Sequence, residues 1–270
     1  MAIAAPECGA GAQGLIIPRT CGAVLQHVPT PPLDLPRRAP PVVCTANVIR
    51  ARSDIRVSLA DRVLHYEVDE HFVNRGAGLG EADYIFPLPA GAAFQDLQLS
   101  IGGELVSGET MNAVDARRTY ENIVRTQRDP ALVEWMGHGL LRARVFPLAP
   151  GEDKEIVVRF QTVAPREGDA LRIDYFRGGA TGEAMMPAAA SGGRTSFTFT
   201  MRAAPDLGMP YSPTHTLDVS EHDGTREAVA RGDARDITLL VPLRRSSSAA
   251  ITMLPYAPGN DDGFALLTVT

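Results

Sequence analysis

Apolar and polar residues alternate with a period of two along most of the chain beyond Val43. Ile55, Val57 and Leu59 recur in "DIRVSLA". In "RVLHYEV" Leu64, Tyr66 and Val68 share one face, while His65, Glu67, Asp69 and His71 share the other. The same rhythm returns in Leu141, Ala143 and Val145 against Arg142 and Arg144, in Ile156, Val158 and Phe160, and in Leu171, Ile173 and Tyr175. It returns again in Phe197, Phe199 and Met201 against Thr198, Thr200 and Arg202, in Ile237, Leu239 and Val241, and in the closing "FALLTVT". Successive strand side chains point to opposite faces. One buried face and one wet face predict antiparallel sheets packed as a sandwich.

One segment breaks the rhythm. "NAVDARRTYENIVR" carries Ala116, Tyr120 and Ile123 at helical spacing, with Asn112 as N-cap and Asp115 near the positive end of the dipole. Glu121 and Arg125 are placed to pair one turn apart. A helix is predicted over about 112–128, ending before Asp129-Pro130 because the residue before proline avoids the α region. Two further stretches act as punctuation. "VPTPPLDLPRRAPPV" at 28–42 is an extended proline linker, and "GGATGEAMMPAAASGGR" at 178–194 is a loop. The chain thus reads as mainly β: a leader and linker (1–42), an antiparallel β-sandwich with one helix (43–177), and a second, smaller β unit (195–270).

The stretch from Glu81 to Glu109 has a structural reading throughout. Ala82 to Phe86 is a short strand, and Pro87 and Pro89 end its ladder. "FQDLQLSI" returns as a strand, with Phe94 out of step with Leu97, Leu99 and Ile101, which suggests a bulge. Gly102-Gly103 supplies the positive φ of a tight hairpin.

Charge and composition narrow the function classes. The 270 residues carry a formal net charge of −6, and the arginine pairs are scattered, which argues against a nucleic-acid partner. No run reaches the roughly 20 apolar residues a membrane-spanning helix needs. The N-terminal Ala10-Gly11-Ala12 before Gln13 reads equally as the tail of an export signal or as a small-residue leader. Of the three cysteines, Cys8 would leave with such a leader. Cys21 and Cys44 would remain as a candidate disulfide, which fits an extracytoplasmic, secreted or envelope compartment. Three free thiols are the alternative.

An ordered series of phrases resembles the VIT domain, the vault and inter-alpha-trypsin-inhibitor heavy-chain module. They are Glu81-Ala82-Asp83-Tyr84-Ile85-Phe86-Pro87-Leu88-Pro89, Ile101-Gly102-Gly103-Glu104, Gly108-Glu109, Ala116-Arg117, Tyr120-Glu121, Ala131-Leu132-Val133-Glu134 and Val145-Phe146-Pro147-Leu148-Ala149-Pro150-Gly151-Glu152. Ser212-Pro213-Thr214-His215 resembles a phrase found after the VIT domain. The resemblance covers about residues 43–165 and implies a β-sandwich with one helix. It also implies a von Willebrand A domain beyond Thr270, which would hold the metal-ion adhesion site Asp-x-Ser-x-Ser. The nearest string, Asp218-Val219-Ser220-Glu221-His222, fails at its fifth position.

Candidate chemistry is sparse. His65, Glu67, Asp69 and His71 are good zinc ligands by type, but same-face neighbours in a strand stand roughly 7 Å apart, so one ion would need ligands from elsewhere. A charged solvent face accounts for the same residues. His27, His138, His215 and His222 have no serine or cysteine partner, and His215 reads as a turn residue whose ring caps neighbouring backbone. "PGNDDG" with Asp261-Asp262 reads as a loop rather than a calcium site, and Arg231-Gly232-Asp233 as a turn rather than an adhesion motif. No catalytic, cofactor or metal residue is assigned. The expected function is a non-enzymatic interaction module that docks a protein partner or a following A domain. The alternative is an extracytoplasmic β-sandwich enzyme, carbohydrate-active or metal-dependent, with paired carboxylates beside aromatic platforms.

Overall fold

The computed structural model describes residues 14–18, 21–23, 42–44, 47–101, 103–111, 132–136, 139–175, 193–231, 236–244, 251–256 and 264–269. Among them the regular structure is all strand. The strands are β1 (Leu15–Pro18), β2 (Cys21–Ala23), β3 (Val42–Cys44), β4 (Val48–Ala60), β5 (Val63–Asn74), β6 (Gly80–Pro87) and β7 (Ala93–Ile101). Next come β8 (Glu104–Ser107), β9 (Glu109–Met111), β10 (Leu132–Trp135), β11 (Leu140–Leu148), β12 (Asp153–Val163), β13 (Arg166–Glu167) and β14 (Ala170–Tyr175). The last are β15 (Arg194–Arg202), β16 (Thr216–His222), β17 (Thr225–Arg231), β18 (Ile237–Pro242), β19 (Ile251–Tyr256) and β20 (Phe264–Val269). The helix expected over about 112–128 lies outside the described residues.

The largest sheet has eight strands in the order β16-β17-β15-β4-β5-β12-β7-β8. A five-stranded sheet, β1-β6-β11-β10-β9, and a three-stranded sheet, β13-β14-β18, share one hydrophobic core with it. The pairings are mostly antiparallel, as the alternation predicts, but β15 runs parallel to β4 and β9 parallel to β10. The segment expected as a second β unit from 195 on therefore adds three strands to the first unit's main sheet, and β18 pairs with β14. Alternation identifies strands but not their neighbours, so a loop at 178–194 reads as a boundary although the chain returns to the same sheet.

The apolar phases predicted from sequence form the core. Ile55, Val57, Tyr66, Val68, Phe160, Phe197 and Phe199 of the large sheet are buried in one core with Tyr84, Phe86, Ala143 and Val145 of the five-stranded sheet. Tyr66 stacks on Phe160 with ring centroids 4.7 Å apart, Phe72 meets Tyr84 edge-on at 5.7 Å, and Phe86 tilts over Phe160 at 5.8 Å. Such aromatic pairs add to their area burial.

Turns and bulges set the register. The β16–β17 hairpin turns on Asp223-Gly224, both at positive φ, as a type I′ turn requires. The bulge expected at Phe94 is present: Phe160 pairs with Phe94 and Arg159 with Asp96, leaving Gln95 extra. A second bulge was not legible. Arg50 pairs with Phe72 but Arg52 with His71, so Ala51 is the extra residue. Residues 50 and 52 would share a face in a regular strand. The bulge sends Arg50 into the core and leaves Arg52 on the outer face.

Candidate functional site

The outer face of the large sheet collects the charged residues that alternate with the core on β4, β5 and β12. Arg56 and Arg159 both reach Glu67, at 2.6 and 2.8 Å, and Arg159 also lies 3.5 Å from Asp96. Burial pushes the Glu67 carboxyl up, but hydrogen bonds from the two arginines outweigh it and hold the group below the usual range. The sequence predicts a charged solvent face here, and the structure pairs its charges across strands. His65 stands half-buried at its end.

The other end of the same face differs. Antiparallel register sets Glu155 of β12 opposite His71 and Asp153 opposite Val73. Asp69, His71 and Glu155 each bring a ligand-type atom within 4.8 Å of the others. The third side chain that the sequence could not supply comes from β12. His71 Nδ1 lies 2.9 Å from Asp153 Oδ1, and Nε2 lies 3.4 Å from Asp69 Oδ1. Asp69 is only 7% exposed, and its Oδ1 accepts no hydrogen bond. Burial, and then the charge of Glu155, raise Asp69 above the usual aspartate range.

Behind this face lies a buried charge pair. Glu70 occupies the apolar phase of β5 between Val68 and Phe72 and is fully buried. Arg50 Nε approaches its Oε1 at 2.9 Å, and Tyr84 Oη donates to its Oε2 at 2.6 Å. Burial raises both the Glu70 carboxyl and the Tyr84 phenol. Arg50 also donates to the Gly14 carbonyl at the entrance to β1. A Cβ on Gly14 would overlap Tyr84 Oη and Glu70 Oε2, so only glycine lets the backbone come this close.

The family-type phrases serve turns and core. Tyr84 and Phe86 are fully buried, and Ala82 with them. Leu88 N–H donates to the Gly139 carbonyl as the chain leaves β6 beyond Pro87. Gly103 turns the β7–β8 hairpin at φ 88°. Gly108 N–H donates to the Leu97 carbonyl, and Glu109 begins β9. In Pro147-Leu148-Ala149-Pro150-Gly151-Glu152, the Glu152 carboxylate accepts the Ala149 N–H at 2.6 Å and meets the Lys154 ammonium at 3.1 Å. Gly151 has φ 76°, and its N–H donates to the Asn74 carbonyl. Gly102, Ala116, Arg117, Tyr120 and Glu121 lie outside the described residues.

Asn74 was not legible as important. Its side chain accepts from the N–H groups of Asn47 and Gly76 and donates to the carbonyls of Gly78 and Leu148. One amide thus ties the ends of β4, β5 and β11 together. In Ser212-Pro213-Thr214-His215, Ser212 Oγ caps the Thr214 and His215 N–H groups and donates to the Thr238 carbonyl, while His215 Nδ1 meets Thr214 Oγ1. The serine performs the backbone capping expected of the histidine. Asp218 and Glu221 lie on the edge strand β16 and pair with Arg231 and Arg226. Cys21 and Cys44 stand opposite one another in the β2–β3 ladder. Cys8, His27, His138, Gly232, Asp233, Asp261 and Asp262 lie outside the described residues.

Among the described residues the structure is mainly β, several largely antiparallel sheets around one core, and the signature phrases shape its turns and core. Residues 51–160 match the family model of the Vault protein inter-alpha-trypsin domain, and the chain carries this VIT domain. No curated protein matches the chain. Among solved structures, an M1 zinc metallopeptidase from Deinococcus radiodurans is similar at 11% identity and TM-score 0.40, over 83% of this chain and 47% of that one. A mutant of that enzyme bound to a Tyr-ser-ala substrate is similar at 10% identity and TM-score 0.39, over 83% and 47%. A two-domain M1 zinc metallopeptidase mutant bound to L-arginine is similar at 10% identity and TM-score 0.40, over 83% and 48%. The chain spans about half the length of these structures, and a likeness at this level says nothing of what the chain does.

Proposed function

We propose that this chain is the non-enzymatic protein-interaction module of a larger secreted or envelope-associated protein, docking an A domain or another protein partner. The VIT match over residues 51–160 carries the reading. Exposed apolar side chains support it. Leu105 and Val106 project from the edge strand β8, and Trp135 and Met136 mark the end of β10. Exposed aromatic and methionine side chains of this kind are enriched at protein interfaces. The described large aromatics otherwise sit mostly in the core, where they offer no platform for a sugar. Among the described residues no helix is long and apolar enough to cross a membrane.

A photo-crosslinking residue placed at Trp135 or Leu105 in the protein at its native level tests the reading, with Arg56 on the charged face as control. Discrete protein adducts at the first two positions and none at the third are expected. Absence of adducts at both, or turnover of glycoside or peptide substrates by the purified chain, would overturn it.

A further inference from the structure

We propose that Asp69, His71 and Glu155 form a binding site for a divalent transition ion with the preferences of Zn²⁺, with Asp153 orienting the histidine. Hydrogen-bond chemistry assigns the tautomer. A carboxylate only accepts, so His71 Nδ1 donates to Asp153 at 2.9 Å. A guanidinium only donates, so Nε2 accepts from Arg52 Nη2 at 2.7 Å. In this arrangement Nε2 carries the ring's lone pair, and the Arg52 guanidinium holds it. Asp69 Oδ1, also an acceptor, faces Nε2 at 3.4 Å with no hydrogen bond of its own. Two acceptor atoms so placed, one on a carboxylate more than nine-tenths buried, offer a ligand pair to an ion that replaces the Arg52 guanidinium, while the second oxygen of Asp69 lies 3.8 Å from Arg56 Nη2.

The distance fits the ion. Zinc binds imidazole nitrogen and carboxylate oxygen at about 2.0–2.2 Å, and tetrahedral ligands at that length stand about 3.3–3.5 Å apart. Glu155 closes the triad from the neighbouring strand by a side-chain adjustment. The Asp153–His71 bond is the outer carboxylate that fixes a metal-bound imidazole. Two carboxylates and one imidazole leave a fourth position for water or a partner's ligand. The ion would displace the Arg52 guanidinium, which is half-exposed and remains tied to Asp54 through Nε at 2.8 Å.

Calorimetric titration of chelator-treated, dialysed protein with ZnCl₂ tests this. We expect about one ion per chain, with binding weakened at least about tenfold by Asp69→Asn, by His71→Ala and by Asp153→Asn. His65→Ala, further along the same face, is expected to leave binding unchanged. Arg52→Ala is expected to tighten it, because a competing cation is removed; a generic acidic surface gives no such gain. Circular dichroism confirms that each variant folds. Should the Asp69 and His71 variants fail to fold, nitrogen chemical shifts of the wild-type imidazoles decide: His71 Nε2 should move on zinc addition while His65 stays fixed. Absence of binding by the wild type, binding that survives both Asp69→Asn and His71→Ala, or an unmoved His71 ring would overturn the proposal.

Discussion

Arg50 and Glu70 show how a single side chain can be placed against its own composition. An ionised pair in a core is held only while both partners remain, because either alone is an uncompensated buried charge. Arg50→Ala is accordingly expected to cost about 3–5 kcal/mol, read from urea unfolding. The double change Arg50→Met with Glu70→Leu should recover most of that loss. Gly14→Ala is expected to leave the core folded but detach β1, since the new methyl overlaps Tyr84 Oη and Glu70 Oε2. Faster hydrogen exchange of the Ile16 and Ile17 amides, with little change elsewhere, is the measurement. Asn74→Ala removes two donors and two acceptors' worth of loop ties. It should cost about 2–4 kcal/mol if one or two of the freed groups stay buried.

At the scale of elements, period two carried most of the information. Every run named from alternation between Ile55 and Val241 is a strand, and its apolar phase is buried, apart from the partly buried Ile101 at the end of β7. Alternation did not reveal the β16–β17 hairpin: two largely polar runs flank Asp223-Gly224, with little burial because β16 is an edge. The bulge at Ala51 had no signal at all, since "VIRARSDI" alternates acceptably on either register. The β2–β3 ladder bears on compartment. Its register puts Cys21 opposite Cys44, a cross-strand spacing at which a bridge is possible. In protein taken from its native compartment, thiol titration is expected to find neither cysteine free. Two reactive thiols would remove the argument for an oxidising environment.

For the molecule as a whole, the main sheet is assembled from distant parts of the chain. β4 lies between β5 and β15, and β14 is covered on its far side by β18. A chain ending at residue 177 would expose the parallel edge of β4 and the apolar faces that Phe197, Phe199 and Leu239 cover. It is expected to lose cooperative thermal unfolding, whereas residues 47–244 should melt in one transition; calorimetry distinguishes the two. The boundary expected near 178–194 is thus a matter of loop composition, while the sheet is continuous across it in space. By itself the sequence determined the class of fold, the buried and wet phases of its strands, the turn phrases and the family resemblance, because these are local properties of period, φ preference and residue size. Only the tertiary structure decided which strands are neighbours, that a bulge sends Arg50 inward to Glu70, and that Glu155 and Asp153 stand beside His71. Those are facts of register between strands, across the β4–β5 pair for Arg50 and Glu70 and across more than eighty residues for Glu155 and Asp153, and alternation alone leaves that register open.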